Sequence, residues 1–312
     1  MSTCLADSSS DGCYTSIAMS KSSSSSSNAS ISTSPTESSA TEGLEHVNIH
    51  LYAGISNMQK LINSQSERLQ KGDSNQQYLI FTRVRAADLA KIDDVRSSLG
   101  KSTRMTYYTD TDQLIIKLMP SAKHEKAHLN LGKKFVAKLI RMGMPEDLFD
   151  SVGAQRFEGP TSSKEADTAY KPLPARRRDE DWPTIVFESG LSESLRRLRV
   201  DARWWLENSG GDVKIVVLIS LNIARATRTL QSIRIEKWEL APAQRRITRS
   251  VANNPPAEVP TKVQEITINP NTVTGAPLIL HFQKIFLRQP TPPEADIVFS
   301  AQDLSDFSAS LW

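Results

Sequence analysis

Apolar residues recur at helical spacing in several parts of the chain. Residues 44–69 predict one helix or two shorter ones, because a glycine interrupts the pattern, and residues 88–99 predict a short helix. Residues 122–142 place apolar side chains four positions apart on one face, after a capping Ser121. A second main helix with a similar apolar stripe is predicted over residues 192–209.

Short runs of β-branched and aromatic residues predict the strands. Residues 104–109 and 113–119 read as a hairpin across an acidic turn. Further strands are predicted over residues 152–157, 166–171, 183–189, 213–221, 232–240, 263–268 and 278–287. The strands at 183–189 and 213–221 enclose the second main helix, and a connection of this kind is right-handed and joins parallel strands. The fold class is therefore predicted to be α/β, a mixed sheet flanked by helices.

The first 40 residues differ in composition from the rest of the chain. Seventeen of them are serine, including the run Ser22–Ser27, and large apolar residues are almost absent. Such a segment buries too little surface to offset the entropy lost on ordering, so we expect it to be disordered. The predicted organisation is a serine-rich tail at 1–42, a helical preface and linker at 43–74, and an α/β domain at 75–312.

Charge and cysteine content narrow the class of protein. The net charge of +3 and the pI of about 8.8 permit DNA as a partner but do not single it out. Both cysteines, Cys4 and Cys13, lie in the tail, so the predicted domain has no disulfide framework, which favours a reducing compartment. No signal peptide is visible, and the longest apolar run, Ile215–Ile219, is too short to span a bilayer. We expect an intracellular protein, nuclear or cytoplasmic, without a membrane partner.

Two acidic residues stand at the ends of predicted strands. Asp167 begins the strand at 166–171, and Glu188 lies near the end of the apolar strand at 183–189. If these strands are neighbours, the two carboxylates would share a divalent ion, and oxygen ligands favour Mg²⁺ or Mn²⁺. Such an ion activates water and stabilises the charge that grows on a phosphate. The alternative is that Glu188 pairs with an arginine of the next helix while Asp167 is solvated.

The helix that follows Glu188 is rich in arginine. Arg199 lies at the margin of its apolar stripe, whereas Arg196 and Arg203 lie farther round the helix. Arg199 is therefore expected to reach over the sheet edge toward Glu188. The alternative is an ordinary solvated arginine face.

The segment from His124 to His128 matches the zinc-protease pattern HExxH. A zinc protease needs a third ligand downstream, and the next histidine along the chain is His281. The helix also lies between a hairpin and an α/β core, which is not the usual context of that motif. The alternative is that His124 caps or packs at the helix start and that His128 is exposed.

Three segments together resemble a known family: LIIKLMPSAKHEKAHLNL at 114–131, EAD at 165–167, and PTIVFESGLSESLRRLRVDARWWL at 183–206. They resemble uncharacterised fungal proteins that are similar to the bacterial putative-restriction-endonuclease family of the PD-(D/E)XK superfamily. The resemblance covers roughly residues 88–240. The motif residues it matches are Met119, Pro120, Ser121, His124, Asp167, Pro183, Glu188 and Ser192. It implies a restriction-endonuclease-like fold, with Asp167 and Glu188 as the metal-binding acids of an Mg²⁺-dependent nuclease.

The chain departs from the superfamily at one catalytic position. The superfamily places a lysine two residues after the second acid, where this chain has Gly190, and the next helix holds arginines only. An arginine stabilises phosphate charge but is a poor proton donor or acceptor. Two hypotheses follow. The chain is a metal-dependent phosphodiester hydrolase acting on DNA, with Asp167, Glu188 and Arg199 as catalytic residues. Alternatively, it is a catalytically inactive nuclease-fold module that binds nucleic acid or protein.

Overall fold

The structure has the predicted α/β class, with helices that flank β-sheets. The computed structural model describes residues 40–100, 103–118, 122–153, 155–224, 226–243 and 257–312, all within one unit. Its α-helices are α1 Ile55–Lys71, α2 Ala86–Asp94, α3 Ala122–Arg141, α4 Leu195–Asn208, α5 Phe282–Phe286 and α6 Ala301–Ser308. None of the helices in the described residues is long and apolar enough to cross a membrane.

The strands form two main sheets and a small third one. The strands are β1 Ile49–Leu51, β2 Tyr78–Thr82, β3 Thr103–Tyr108, β4 Gln113–Leu118, β5 Phe149–Ser151, β6 Arg156–Glu158, β7 Ser162–Glu165, β8 Thr168–Pro172, β9 Ile185–Leu191, β10 Ile215–Ile223, β11 Leu230–Pro242, β12 Glu258–Asn269, β13 Thr272–Thr274, β14 Leu278–Leu280 and β15 Ile297–Phe299. The first sheet has the order β1-β2-β4-β3-β7-β6, and the second has the order β13-β12-β11-β10-β9-β8-β5. β14 and β15 pair separately.

The second sheet is covered by helices on both faces. Alternate residues of β9 point to opposite sides: Phe187 packs in one core cluster with Phe135 of α3, and Val186 packs in another with Leu198 of α4. Burial on both faces explains why this strand reads as an almost continuous apolar run. β9 and β10 are parallel, which confirms the predicted strand–helix–strand unit.

The first sheet places one face against α1 and α2. Leu79 and Phe81 of β2 share a core cluster with Met58 and Ile62 of α1. The other face carries a smaller apolar cluster and several charged side chains. The chain passes from the first sheet to the second at residues 166 and 167, between β7 and β8.

Several elements differ from the sequence prediction. Residues 44–54 precede α1 and include the short strand β1 instead of a helical turn, and β2 falls where no strand was predicted. The predicted strand at 278–287 is split into β14 and α5, because the chain turns after Leu280. Residues 1–39 of the predicted tail lie outside the described part of the structure. Residues 40–42 are folded, since Arg197 Nη1 donates a hydrogen bond of 2.7 Å to the carbonyl of Ala40.

Candidate active site

The two predicted acids lie side by side where the two main sheets meet. β8 and β9 are antiparallel neighbours with Thr168 opposite Phe187, so Asp167, one residue before β8, comes next to Glu188. Both side chains are almost completely buried, with 0% and 1% of their surface exposed. The expected convergence of the two carboxylates is therefore present in the fold.

A lysine from the first sheet joins the two acids. Lys117 of β4 donates hydrogen bonds of 2.8 Å from Nζ to Asp167 Oδ2 and of 2.8 Å to Glu188 Oε2. Because both oxygens lie at that distance from one nitrogen, they are within twice that distance of each other. The sequence prediction did not single out Lys117, although a lysine in the middle of the apolar strand LIIKL is an unusual residue.

The remaining oxygens of the two acids have different environments. Asp167 Oδ2 also accepts a hydrogen bond of 2.8 Å from the backbone N–H of Ser189, and Glu188 Oε1 accepts one of 2.9 Å from Trp205 Nε1. Asp167 Oδ1 has no hydrogen-bond partner among the described residues, and Arg104 Nε lies 3.9 Å from it. This oxygen is the one polar atom of the acid pair that the described protein groups leave unbonded.

Burial and the lysine have opposite effects on the acids. Burial disfavours the charged form of Asp167, but the positive charges of Lys117 and, after it, His128 and Arg104 outweigh burial and lower the pKa of its carboxyl. For Glu188, burial outweighs the attraction of Lys117, and the pKa is raised. Burial also disfavours the ammonium of Lys117, yet the two acids raise its pKa well above the ordinary value. The lysine is therefore protonated and Asp167 ionised at neutral pH.

The structure gives a steric reason for Gly190 at the position where the superfamily has its lysine. A Cβ atom there would lie 2.8 Å from Ser194 Oγ and 3.1 Å from Leu198 Cδ1. Gln77 closes the same space, since its Oε1 accepts hydrogen bonds from the backbone N–H of Leu191, at 2.7 Å, and from Ser194 Oγ, at 3.1 Å. A longer side chain at this position of β9 would have to displace these neighbours, and the amine that contacts both acids belongs to β4.

The side chain of Arg199 contacts a different acid from Glu188, the one toward which it was predicted to reach. Its guanidinium forms two hydrogen bonds with Glu236 of β11, of 3.0 Å from Nε and 2.5 Å from Nη2. Glu188 and Glu236 both lie opposite Leu218 of β10, so Glu236 is two strands away from Glu188. The alternative prediction, that Glu188 pairs with an arginine of the following helix, is also wrong, because the cationic partner of Glu188 is Lys117.

The HExxH interpretation gains no support from the part of the motif that the structure describes. His128 is buried instead of exposed, with 1% of its surface accessible, and its Nδ1 lies 2.7 Å from Thr168 Oγ1. Burial lowers the pKa of this histidine. The side chain of His124 lies outside the described part of the structure. Among the described residues, no group of three or more histidine, cysteine, aspartate or glutamate side chains is arranged to hold a metal ion.

A second group of buried charges borders the acid pair. Asp201 of α4 pairs with Lys164 of β7, at 3.0 Å, and with Arg197 of its own helix, at 3.3 Å. Together with Lys117, Asp167 and Glu188, these residues place three cations and three anions between the sheets. Because the positive and negative charges are equal in number, these groups can be buried together inside the fold.

Comparisons with known proteins give one distant structural likeness. No family model matches the chain, and no curated protein is significantly similar to it. The crystal structure of a protein from Anabaena variabilis ATCC 29413, described as a putative nuclease belonging to DUF820, matches over 65% of this chain and 90% of its own. The TM-score is 0.35 and the sequence identity 13%, a likeness that assigns no activity. The resemblance to fungal proteins stays a prediction.

Proposed function

We propose that this chain is a metal-dependent phosphodiester hydrolase acting on DNA, in which Asp167 and Glu188 bind Mg²⁺. Lys117 takes the role that the superfamily gives to its motif lysine, in place of Arg199. The observation that carries the proposal is the buried group formed by these two acids and one amine, with Lys117 Nζ 2.8 Å from an oxygen of each acid.

The residues present fit a magnesium ion. Asp167 Oδ1 is a buried carboxylate oxygen without a hydrogen-bond partner among the described residues, and carboxylate oxygens are the ligands that Mg²⁺ prefers. Two acids are sufficient, because Mg²⁺ keeps several waters and is commonly held by one or two carboxylates together with substrate phosphates. When bound, such an ion lowers the pKa of a coordinated water and stabilises charge on the phosphate.

The protein groups have separate tasks in this proposal. Asp167 stays ionised, as a metal ligand must, because its pKa is lowered by the neighbouring cations against the effect of burial. Lys117 stays protonated, so it is a hydrogen-bond donor and a fixed positive charge instead of a base. A preorganised ammonium in a site of low dielectric stabilises the negative charge that develops as a phosphodiester is attacked. Trp205 and Ser189 hold the two acids in place through the hydrogen bonds to Glu188 and Asp167.

The test combines metal binding and cleavage in the full-length chain. Calorimetric titration with Mg²⁺ and with Mn²⁺ is expected to show binding to the wild type that is lost in Asp167→Asn/Glu188→Gln. The matched control, Glu146→Gln/Asp147→Asn, removes the same number of negative charges from a short exposed turn and is expected to bind normally. Cleavage of labelled single- and double-stranded DNA should follow the same order. Metal binding that survives in the double variant would overturn the assignment of the two acids.

A second function is favoured by one feature of the same site. Lys117 already neutralises both acids, and the carboxylates are 0% and 1% exposed, so the group is stable without any ion. A catalytically inactive module that binds nucleic acid or protein would have this arrangement. It predicts no Mg²⁺ or Mn²⁺ binding by the wild type, no cleavage, and DNA binding that is unchanged in Asp167→Asn/Glu188→Gln.

A further inference from the structure

Two adjoining cavities open beside Tyr78, which is the first residue of β2. Their volumes are about 220 Å³ and about 360 Å³. Both are lined by His46, Ser74, Gln76 and Tyr78, so they meet along these residues. The larger cavity is within the size range of about 300–1,000 Å³ that is usual for small-ligand sites, and the smaller one adjoins it.

Most residues that line the smaller cavity are of polar type, and none of them carries a permanent charge. Its hydrogen-bonding side chains come from Asn75, Gln76, Ser74, Ser194 and His46, which together offer both donors and acceptors. Ser74 Oγ accepts hydrogen bonds from the Gln76 backbone N–H and from a side-chain amide of α1, both of 3.0 Å. Gln76 Oε1 in turn accepts from the Tyr78 N–H at 3.0 Å, which leaves the Gln76 Nε2 amide as a donor.

Tyr78 connects the cavities to the acid pair. Tyr78 lines both cavities and is 2% exposed, and its hydroxyl has no hydrogen-bond partner among the described residues. It lies opposite Lys117 in the β2–β4 register, so both residues are on the same face of the first sheet. Burial raises the pKa of the phenol, and the charges that act on it include Asp201, Lys117 and Glu188. Ser194, in the turn between β9 and α4 and six residues after Glu188, also lines the smaller cavity.

One wall of the smaller cavity is held rigidly. Gly43 and Leu44 belong to the segment 40–47, whose carbonyl at Ala40 accepts a hydrogen bond from the buried Arg197. Gly43 packs directly on α4, since a Cβ atom there would lie 2.9 Å from the Arg197 backbone nitrogen. A wall fixed in this way does not have to be ordered when a ligand binds, which lowers the cost of binding.

We propose that these cavities bind a nucleobase of the substrate strand, next to the phosphodiester presented to Asp167 and Glu188. The inference rests on the proposed function for the identity of the strand. The smaller cavity offers hydrogen-bond donors and acceptors, a buried phenol and no permanent charge. These groups suit the edge and the face of a base, as in enzymes that bind an extruded nucleotide. An isolated phosphate would call for a cluster of cations, and the larger cavity has Arg68 as its cationic lining residue.

The test measures nucleotide binding without metal, so that it does not depend on hydrolysis. The full-length chain in EDTA is titrated with each of the four deoxynucleoside 5′-monophosphates and with deoxyribose 5-phosphate, which lacks the base. At least one nucleotide is expected to bind about tenfold more tightly than the sugar phosphate, a typical value for the contacts of one base. His46→Ala removes an exposed residue that lines both cavities, and it is expected to reduce the preference for the nucleotide. The control Asn271→Ala changes an exposed turn outside the lining and should leave the preference unchanged.

The outcomes separate this inference from the proposed hydrolase. Equal binding of nucleotides and sugar phosphate, or a preference that is the same in His46→Ala, would overturn the base site whatever the metal titration shows. A base preference in a chain that binds no metal would keep the base site and reject the hydrolase. Thermal unfolding of both variants confirms that a loss of binding is not a loss of fold.

Discussion

Replacing Lys117 by methionine is the most direct test of how the buried group is held together. Methionine has a similar length and volume, so the change removes the charge and the two 2.8 Å hydrogen bonds while it leaves the packing of β4 nearly intact. Two buried carboxylates would then face each other without their shared cation. Removal of one partner of a buried ion pair costs about 3–5 kcal/mol, because the remaining charge is left uncompensated.

The loss should depend on pH with a definite sign. Glu188 already has a raised pKa in the folded protein, and without Lys117 it should rise further above its ordinary value. The folded variant then binds a proton that the unfolded chain releases, so its stability falls as pH rises from the ordinary pKa of the acid through the raised one. The destabilisation of Lys117→Met relative to wild type is therefore expected to be larger at about pH 8 than at about pH 5.

Urea unfolding followed by tryptophan fluorescence measures both quantities. Trp205, one of the five tryptophans of the chain, donates a hydrogen bond to Glu188, so part of the emission comes from the site itself. Lys60→Met, in which the lysine is exposed on α1, is the matched control and should be within about 0.5 kcal/mol of wild type at both pH values. A loss below about 1 kcal/mol at neutral pH, or a loss that grows toward acid pH, would refute the view that Lys117 is the cation that compensates both acids.

Three further substitutions test neighbouring parts of the site. Gly190→Ala is expected to destabilise the fold by about 1–3 kcal/mol in urea unfolding, because the added methyl overlaps the neighbours of this position; wild-type stability would contradict the steric argument. Arg199→Ala should weaken the fold by removing the guanidinium from the buried Glu236, which keeps the hydrogen bond from Trp238 and Lys262 at 3.9 Å, but should leave Mg²⁺ affinity unchanged in calorimetry; a lost metal site would return Arg199 to the catalytic group. Trp205→Phe should cost about 1–3 kcal/mol in thermal unfolding by leaving Glu188 Oε1 without its donor, and a neutral result would mean that another group replaces the indole.

The sequence pattern was sufficient for the central strand–helix–strand unit, and the reason is physical. β9 and β10 are buried on both faces, so their apolar runs are long, and α4 carries a clear apolar stripe. The pattern failed where burial is one-sided or the element is short. β1 has only three residues and exposes Ile49 and Leu51, and the apolar residues of 278–287 serve a strand and then a helix.

The two acids of the site were predictable because a charge in or beside an apolar strand requires a partner. Glu188 follows the run TIVF, and Asp167 stands at a strand start, so each was visible as an exception to its surroundings. The position of Arg199 at the margin of the apolar stripe predicts that it is the partner of Glu188. The contact between Lys117 and Glu188 spans 71 residues and joins two different sheets, which no local pattern specifies.

The same rule, applied to cations, indicates Lys117. In LIIKL a lysine interrupts an apolar strand, just as Glu188 does in IVFES. The free-energy cost of burying a cation and an anion in one domain is lowest when the two form an ion pair. On β9, the space beside Gly190 is filled by Ser194, Leu198 and Gln77, whereas Lys117 contacts both acids from β4. The cationic partner of a buried acid is therefore best sought among the charged residues of other buried strands, and not only in the nearest helix.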